Sequence, residues 1–262
     1  MEYKTILFEI RDNVARITLN RTDAANSLNS EMSKDLFYAS IECSENPAVR
    51  AVLITGNGRF FCSGGDLKSF SQQGDALPAH LKEMTTYLHA AISRFVRMDS
   101  PVIAAVNGTA AGAGLSIVCA CDLAIAAENA SFTMAYTRVG LVPDGSSTYF
   151  LPRIVGIKRA LDLALTNRVF TAREALEWGI VNRVVPAERL MPEADSLAAQ
   201  FVSGPKEALG KAKKLLYLGI NNSLETQMEL ESQEISAIVR TTDAKEGVKA
   251  FLEKRLPKYG GI

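Results

Sequence analysis

Three glycine-rich turns hold residue types that could do chemistry, because each follows an apolar segment and sets backbone N–H groups beside small side chains. They lie at residues 56–58 (Gly-Asn-Gly), 62–66 (Cys-Ser-Gly-Gly-Asp) and 107–114 (Asn-Gly-Thr-Ala-Ala-Gly-Ala-Gly). A dinucleotide site would need Gly-x-Gly-x-x-Gly, but Ile117 stands where the third turn would need its final glycine. The P-loop pattern Gly-x-x-x-x-Gly-Lys-Ser/Thr does not occur in the sequence. Taken singly, each turn indicates no more than tight backbone packing.

Such turns have another use, which is to stabilise an oxyanion. Backbone N–H groups at the start of a helix favour negative charge, and two of them from separate turns form an oxyanion hole. Each donor is worth ~2.7–4 kcal/mol of transition-state stabilisation. An acidic candidate, Asp144, lies in Pro143-Asp144-Gly145. By itself that motif is typical of a surface turn.

The periodicity of apolar residues predicts the elements that position these turns. Residues 6–10 and 15–19 alternate and predict a β-hairpin, and 30–42 has helical spacing. Buried strands are predicted at 51–55, 101–106 and 123–127, a helix beginning near Ala113, and a mobile loop over the polar segment 69–78 that ends in Pro78. Alternating strands and helices favour an α/β fold, and the sequence after Pro186 is helical in pattern. We expect a core at 1–195 and a helical region at 196–262.

The composition excludes several classes of protein. The chain has 262 residues, 29 Lys plus Arg and 29 Asp plus Glu, so zero net charge argues against a nucleic-acid partner. Four cysteines without a Cys-x-x-Cys motif and two histidines argue against a metal site. No secretory signal or long apolar run is evident, so we expect a cytoplasmic protein without a membrane segment.

An ordered series of motifs joins the turns to their flanking strands. It comprises Asn-Ser-Leu-Asn at 26–29, Phe-Cys-Ser-Gly-Gly-Asp-Leu-Lys at 61–68, Pro-Val-Ile-Ala-Ala-Val-Asn-Gly at 101–108, Ala-Gly-Ala-Gly at 111–114, Cys-Asp-Leu-Ala-Ile-Ala at 121–126, Phe132, Gly-Leu-Val-Pro at 140–143 and Ala-Leu-Glu-Trp-Gly-Ile-Val at 175–181. This series, which runs nearly end to end, resembles the crotonase family, also called the enoyl-CoA hydratase/isomerase superfamily. The segment from Met134 to Gly145 resembles its aspartate-dependent isomerases of enoyl-CoA or ring-epoxide phenylacetyl-CoA.

The resemblance implies a fold, an assembly and a ligand. The fold is a spiral of β-β-α units followed by C-terminal helices that mediate trimerisation, with hexamers as pairs of trimers. The ligand is an acyl-CoA thioester, whose coenzyme A is part of the substrate, so no separate cofactor is implied. The backbone N–H groups of Ser63 and Ala113 would form the oxyanion hole. Residues implied in binding substrate or CoA are Ser27, Leu28, Gly64, Gly65, Asp66, Leu67, Lys68, Gly112, Tyr136 and, from a neighbouring subunit, Lys254. Asp66 would also cap or brace its turn.

The acidic residues distinguish between the reactions of this family. A resembling hydratase carries two glutamates, and their places in this chain hold Ser116 and Tyr136, neither of which is a carboxylate base. Asp144 remains, and a single carboxylate suits a double-bond shift, in which a proton leaves one carbon and returns to another. The resemblance therefore favours an acyl-CoA isomerase with Asp144 as acid and base.

Three alternatives remain open, of which the first is an aryl-CoA dehalogenase or thioester hydrolase with Asp144 as nucleophile. In resembling aryl-CoA dehalogenases an aspartate at the place of Asp144 is a nucleophile, paired with a histidine near the place of His89 and with a tryptophan where this chain has Tyr136. His89 is interpreted instead as a packing or hydrogen-bonding residue. A hydratase in the general family sense, or a non-catalytic CoA- or RNA-binding member, would also fit the resemblance.

Overall fold

The computed structural model describes residues 2–260 of the chain. Strands occupy ten segments of this part. They are β1 (Ile6–Arg11), β2 (Val14–Leu19), β3 (Ala51–Gly56), β4 (Phe60–Cys62), β5 (Val102–Val106), β6 (Thr109–Ala111), β7 (Leu123–Ala127), β8 (Ser131–Thr133), β9 (Phe170–Thr171) and β10 (Arg183–Val185).

Eleven α-helices follow or separate these strands within the same residues. They are α1 (Ser30–Glu45), α2 (Leu67–Ser71), α3 (Leu77–Arg97), α4 (Ala113–Ala120), α5 (Ser147–Val155), α6 (Ile157–Thr166), α7 (Ala172–Glu177), α8 (Leu190–Val202), α9 (Lys206–Gly219), α10 (Leu224–Ile238) and α11 (Thr242–Leu252). The helical pattern predicted after Pro186 is confirmed by α8 to α11. The predicted start of α4 at Ala113 and the predicted α/β class are also confirmed.

The strands form two sheets. The larger has the order β1-β2-β3-β5-β7-β10 and is parallel except for the hairpin β1-β2, while the smaller has the order β4-β6-β8-β9. Strands β3, β5 and β7 of the larger sheet are each followed by a strand of the smaller one and then by a helix. This repetition is the β-β-α spiral that the resemblance implied. It places the strand-to-strand and strand-to-helix turns of successive units next to one another.

The β1-β2 hairpin shows how local sequence fixes the edge of the larger sheet. Asp12 and Asn13 connect the strands with φ values of 51° and 62°. Two consecutive left-handed residues match the right-handed twist of the flanking strands, and Asp and Asn tolerate that conformation better than most residues. The predicted hairpin is confirmed.

The prediction of a mobile loop at 69–78 is wrong. The segment contains the end of α2, a short 3₁₀ turn at Gly74–Ala76 and the start of α3. Pro78 lies in the first turn of α3, where a missing N–H costs no intrahelical hydrogen bond. The proline therefore begins a helix of 21 residues instead of ending a loop.

Helix α8 crosses the expected boundary between residues 195 and 196. Its buried residues Leu190, Ala194, Leu197 and Ala198 pack on the face of the larger sheet that carries Leu53 and Ile103. The first part of the helical region is thus packed against the core sheet. Among residues 2–260, no helix is both long and apolar enough to cross a membrane.

Candidate active site

Two glycine turns from successive β-β-α units meet at the centre of the site. Gly64 has a φ of 100°, and a Cβ there would lie 3.2 Å from the carbonyl oxygen of Ala111 and 3.6 Å from the Cα of Gly112. A side chain would therefore be strained in conformation and would crowd the neighbouring backbone. The absence of side chains at Gly64 and Gly112 lets the end of β4 and the start of α4 lie in contact.

The structure contradicts the assignment of the Ser63 N–H as an oxyanion donor. That N–H donates a hydrogen bond of 3.1 Å to the carbonyl of Ala25. The backbone of residues 64–66 then pairs with Leu28. The Leu28 N–H donates to the Gly64 carbonyl at 2.7 Å, and the Leu28 carbonyl accepts from the Asp66 N–H at 2.8 Å. Since backbone groups of an extended segment alternate in direction, the N–H of Gly65 faces away from Leu28. Within residues 2–260 the Gly65 N–H has no hydrogen-bond partner.

The N-terminus of α4 supplies a second unpaired donor. Ala113 is the first residue of this helix, and the N–H groups of a first turn have no intrahelical acceptor. In the described part of the chain the Ala113 N–H has no partner, while Gly112 just before it donates to the Thr133 carbonyl at 3.0 Å. Every residue of α4 is buried, so the positive end of its dipole is shielded from water. The sequence analysis expected the Ala113 N–H as a donor, but it gave Gly65 a role in binding substrate or CoA and not the role of the other donor.

Asp144 is tied to the two positions where a resembling hydratase would carry glutamates. The hydroxyl of Tyr136 donates to Oδ1 of Asp144 at 2.6 Å, and the Ser116 hydroxyl lies 3.0 Å from the Tyr136 hydroxyl and 3.1 Å from the Asp144 carbonyl oxygen. Burial, together with the negative charge of Asp144, raises the pKa of Tyr136 far above its ordinary value. Tyr136 is only 9% exposed and therefore remains a protonated donor. Its hydroxyl faces the carboxylate of Asp144.

His89 joins this group from helix α3. Its Nε2 atom accepts a hydrogen bond of 3.2 Å from the Gly145 N–H, which places the proton of a neutral ring on Nδ1. His89 and Ser146 also line a cavity of about 550 Å³ that adjoins the Asp144 segment. The remaining lining of the cavity comes from α3, α5, α9 and the residues after α9: Ile92, Ser93, Val96, Arg97, Tyr149, Phe150, Lys214, Tyr217, Leu218, Asn221 and Asn222.

The residues expected to bind CoA lie along one edge of the first turn. Asp66 caps α2 by accepting from the Ser69 N–H at 3.0 Å, and it pairs with Arg21 at 2.7 Å. Burial acts to raise the pKa of Asp66, but these contacts outweigh it and hold the pKa below its ordinary value. Arg21, which the sequence analysis did not single out, thereby fixes the turn. Asp66 is a brace, as its position in the turn suggested.

The other expected CoA residues differ in exposure. Leu67 and Lys68 are exposed at the start of α2, whereas Ser27 and Leu28 are 7% and 0% exposed. The side chain of Leu28 therefore packs in the core, and its contribution to this region is the backbone pairing with Gly65. Lys254 lies exposed just after α11, and within residues 2–260 it makes no ion pair or hydrogen bond with the other site residues.

Cys62 lies directly before the first turn, but its environment opposes a nucleophilic role. Burial raises the pKa of this thiol to about 12, although the Gly64 N–H hydrogen-bonds its sulfur. A thiol is a weak nucleophile until it ionises. Cys62 is a small, fully buried packing residue.

Comparison with known proteins identifies the family. The family model for enoyl-CoA hydratase/isomerase matches residues 9–261, nearly the whole chain. The chain belongs to the enoyl-CoA hydratase/isomerase family. It therefore belongs to a family of enzymes, and an acyl-CoA thioester substrate is consistent with this membership.

Relatives in the enoyl-CoA hydratase/isomerase family differ in the reaction that their names state. The chain is 40% identical to a Rhodobacter capsulatus protein named "Probable enoyl-CoA hydratase", with 100% of both chains covered. It is 37% identical to the 1,2-epoxyphenylacetyl-CoA isomerase of Escherichia coli, with 98% of both covered. It is 33% identical to a 4-chlorobenzoyl coenzyme A dehalogenase of an Arthrobacter species, covering 96% of this chain and 91% of that one.

A solved structure confirms the crotonase fold of this enoyl-CoA hydratase/isomerase family member. The enoyl-CoA hydratase of Bacillus anthracis superposes with a TM-score of 0.92 at 34% identity, covering 99% of this chain and 100% of that one. The spiral of β-β-α units with C-terminal helices is thus shared along the whole length. Because the fold is common to several reactions, the side chains around Asp144 must distinguish between them.

Proposed function

We propose that this family member is an acyl-CoA isomerase of the enoyl-CoA double-bond or ring-epoxide type, with Asp144 as acid and base. The observation that carries the proposal is that Ser116 and Tyr136, at the places of the two hydratase glutamates, both hydrogen-bond to Asp144. A hydratase of the two-glutamate kind needs carboxylates there to position and activate water. Asp144 alone suits a reaction that moves one proton and consumes no water.

In the proposed reaction the thioester carbonyl oxygen accepts hydrogen bonds from the N–H groups of Gly65 and Ala113. For a double-bond shift, Asp144 removes a proton from the carbon next to the carbonyl, and the C–H electron pair forms a dienolate whose charge rests on that oxygen. The same carboxyl group then returns the proton to the γ-carbon. The double bond moves and the mass of the thioester is unchanged. The two donors supply ~2.7–4 kcal/mol each towards the enolate-like transition state.

We place the acyl group in the cavity lined by His89 and Ser146, because this cavity adjoins the Asp144 segment. Its aromatic and apolar wall suits a hydrocarbon or ring, while Lys68 and Lys254 are proposed to meet the CoA phosphates, Lys254 from a neighbouring subunit. On this proposal coenzyme A is part of the substrate and no further cofactor takes part. We further propose that the chain assembles as a trimer or hexamer and acts in the cytoplasm.

A second candidate is a dehalogenase or thioester hydrolase in which Asp144 is the nucleophile. The observation that favours it is His89, whose Nε2 lies 3.2 Å from the backbone N of Gly145, next to Asp144. In a dehalogenase an aryl ester would form on Asp144 as the halide leaves, and in a thioester hydrolase a mixed anhydride would form there as the CoA thiolate leaves. Water would later cleave either intermediate. The general hydratase and the non-catalytic CoA- or RNA-binding protein remain further candidates.

One substrate panel distinguishes these candidates. The purified protein is incubated with enoyl-, epoxide-ring and haloaryl-CoA thioesters, and the products are followed by mass and by deuterium uptake from D₂O. An isomerase leaves the mass unchanged in H₂O and incorporates deuterium in D₂O, a hydratase adds one water, and a dehalogenase exchanges halide for hydroxyl. Hydration as fast as that of a two-glutamate enzyme would contradict the proposal.

The variant Asp144→Asn tests the role of the carboxylate. It keeps the size of the side chain and removes the base, so isomerisation should fall by ~10²–10⁴-fold while acyl-CoA binding is retained. Asp12→Asn, at the exposed tip of the β1-β2 hairpin, is the matched control and should be as active as the wild type. Near-wild-type turnover by Asp144→Asn would show that Asp144 is only a turn residue. A covalent adduct on Asp144 would favour the nucleophile instead.

A further inference from the structure

The two positions that lack the hydratase glutamates hold a continuous hydrogen-bond chain that ends on Asp144. Ser116 is fully buried on α4, and its hydroxyl lies 3.0 Å from that of Tyr136. Tyr136 lies just after β8 and reaches Oδ1 of Asp144 at 2.6 Å. Tyr136 therefore contacts the Asp144 carboxylate directly, and Ser116 is linked to that carboxylate through Tyr136.

Each hydroxyl group carries one proton, and this limits which group donates in each of these hydrogen bonds. A tyrosine hydroxyl carries one proton, and the carboxylate is its strongest acceptor, so Tyr136 donates to Asp144. In the pair with Ser116 the tyrosine oxygen can then only accept. The single proton of the Ser116 hydroxyl has three acceptors within reach, the Tyr136 oxygen at 3.0 Å, the Asp144 carbonyl oxygen at 3.1 Å and the Gly112 carbonyl oxygen at 3.2 Å. Oδ1 of Asp144 is thus occupied, whereas Oδ2 has no hydrogen-bond partner within residues 2–260.

The backbone of Asp144 is held as firmly as its side chain. Its carbonyl oxygen accepts from the Ser147 N–H at 3.1 Å and from the Ser147 hydroxyl at 2.9 Å, and the Ser116 hydroxyl lies 3.1 Å away. At Gly145, where φ is 58°, a Cβ would lie 3.0 Å from the Cβ of Ser116. The Asp144 segment is therefore packed directly on Ser116, with no room for it to shift towards α4.

We propose that Tyr136 and Ser116 are positioning residues that hold Oδ1 of Asp144 and leave Oδ2 free to exchange the proton with substrate. This inference rests on the proposed role of Asp144 as the base. The two places that serve water in a hydratase serve in this chain to orient a carboxylate. A carboxylate fixed by packing and hydrogen bonds meets the reacting carbon in one geometry, and a misplacement of about 1 Å can cost ~10²-fold in rate.

Tyr136→Phe and Ser116→Ala test the proposal, with kcat and KM measured on the isomerised thioester. Tyr136→Phe keeps the buried ring and removes the donor, so kcat should fall by ~10–10²-fold with KM unchanged. Ser116→Ala acts through the same chain and should lower kcat by a smaller factor. Tyr38→Phe on α1 and Ser40→Ala, a buried helical serine that bonds only its own helix, are the matched controls and should be as active as the wild type.

The double variant Tyr136→Phe/Asp144→Asn separates positioning from a general loss of stability. If Tyr136 acts only through Asp144, the double variant should be no slower than Asp144→Asn alone, and solvent deuterium exchange should be lost equally in both. Additive losses, or a rise in KM instead of a fall in kcat, would overturn the positioning role. A near-wild-type rate in Asp144→Asn would refute the proposed function itself. A near-wild-type rate in Tyr136→Phe, with Asp144→Asn slowed as expected, would refute only this inference.

Discussion

The Nε2 atom of His89 accepts a hydrogen bond from the backbone N–H of Gly145, the residue that follows Asp144. An imidazole is thus present beside the proposed base, on the exposed side of helix α3. Its second nitrogen is the one that carries the proton of a neutral ring. The geometry supports a structural role for His89 on the turn, and the dehalogenase alternative would instead need it as a base.

His89→Gln distinguishes these two roles. The amide oxygen of glutamine can accept the same N–H, so isomerisation should remain near the wild-type rate, whereas His89→Ala should lose part of the activity by loosening the turn. Both variants are assayed with the best substrate of the panel. A loss of ~10²–10⁴-fold in His89→Gln, as expected for removal of a general base, would show that His89 transfers protons.

Gly64→Ala tests the contact between the two glycine turns. The residue would be strained at its φ of 100°, and its Cβ would lie 3.2 Å from the carbonyl oxygen of Ala111. We expect destabilisation by more than about 1 kcal/mol and a lower kcat, because the Gly65 N–H is displaced. Gly74→Ala is the matched control, since its φ is 50° with open space around the added methyl group. Denaturant unfolding and kinetics should show the conformational cost in both variants, and the loss of kcat only in Gly64→Ala.

A buried ion pair fastens α9 to the core. Lys213 lies 2.7 Å from Asp122, donates to the Phe95 carbonyl at 2.7 Å, and shares Asp122 with Tyr217. Lys213→Met should cost about 3–5 kcal/mol in unfolding free energy, because Asp122 is left buried without its partner. The double variant Asp122→Asn/Lys213→Met should recover part of this loss. Equal instability of the single and double variants in urea would contradict the coupling.

The C-terminal segment should detach in acid. The hydrogen bond from Arg255, with that from the Lys258 N–H, lowers the pKa of Glu246 from 4.5 to about 2. A carboxyl group whose pKa is lower in the folded chain stabilises it fully above the unfolded value and loses this contribution as the pH falls through the folded value. Pepsin cleavage near Phe251 should therefore accelerate between pH 4.5 and 2. In Glu246→Gln it should be fast throughout, and an unchanged profile would contradict the prediction.

Exposed apolar side chains on and after the last helix support the proposed assembly. Phe251 is 84% exposed and Leu256 is 87% exposed, values that are costly for side chains of this size in water. Light scattering should give the mass of a trimer or hexamer, and Phe251→Glu should shift the protein towards monomers. Leu165→Glu, at an exposed leucine of α6, serves as a comparison on another face. A stable wild-type monomer at micromolar concentration would contradict the assembly.

Local periodicity was sufficient to predict much of the fold. The hairpin, the buried strands and the start of α4 follow from alternating or continuous apolar residues, whose burial depends on their own segment. The start of α3 could not be predicted in this way, because a proline is compatible with both a loop and a first helical turn. Its helical role depends on residues downstream that pack against α1.

In the site, too, some features could be predicted from local sequence and others depend on distant contacts. Asp144 and Ala113 could be singled out because the motifs around them resemble those of the family. The choice between Ser63 and Gly65 could not be made, since it depends on which N–H groups pair with residues 25–28, nearly forty residues earlier. The contact between Tyr136 and Asp144 likewise could not be predicted, because the orientation of the Tyr136 hydroxyl depends on both Asp144 and Ser116, and Ser116 lies on another element. Contacts between distant segments decide such questions, and a single sequence does not display them.

The order of the strands has a consequence for how the protein matures on the ribosome. Every residue proposed to take part in the chemistry precedes α5, but β10, which pairs with β7, and α8, which covers the larger sheet, come after residue 182. A nascent chain that already contains Gly65, Ala113 and Asp144 still has an unpaired sheet edge and an uncovered apolar face. Parallel pairing between distant segments is slow to form. The catalytic site should therefore fold only after α8 has left the exit tunnel. Aggregation and chaperone binding should be most favoured before that point, while the apolar face of the sheet is still uncovered.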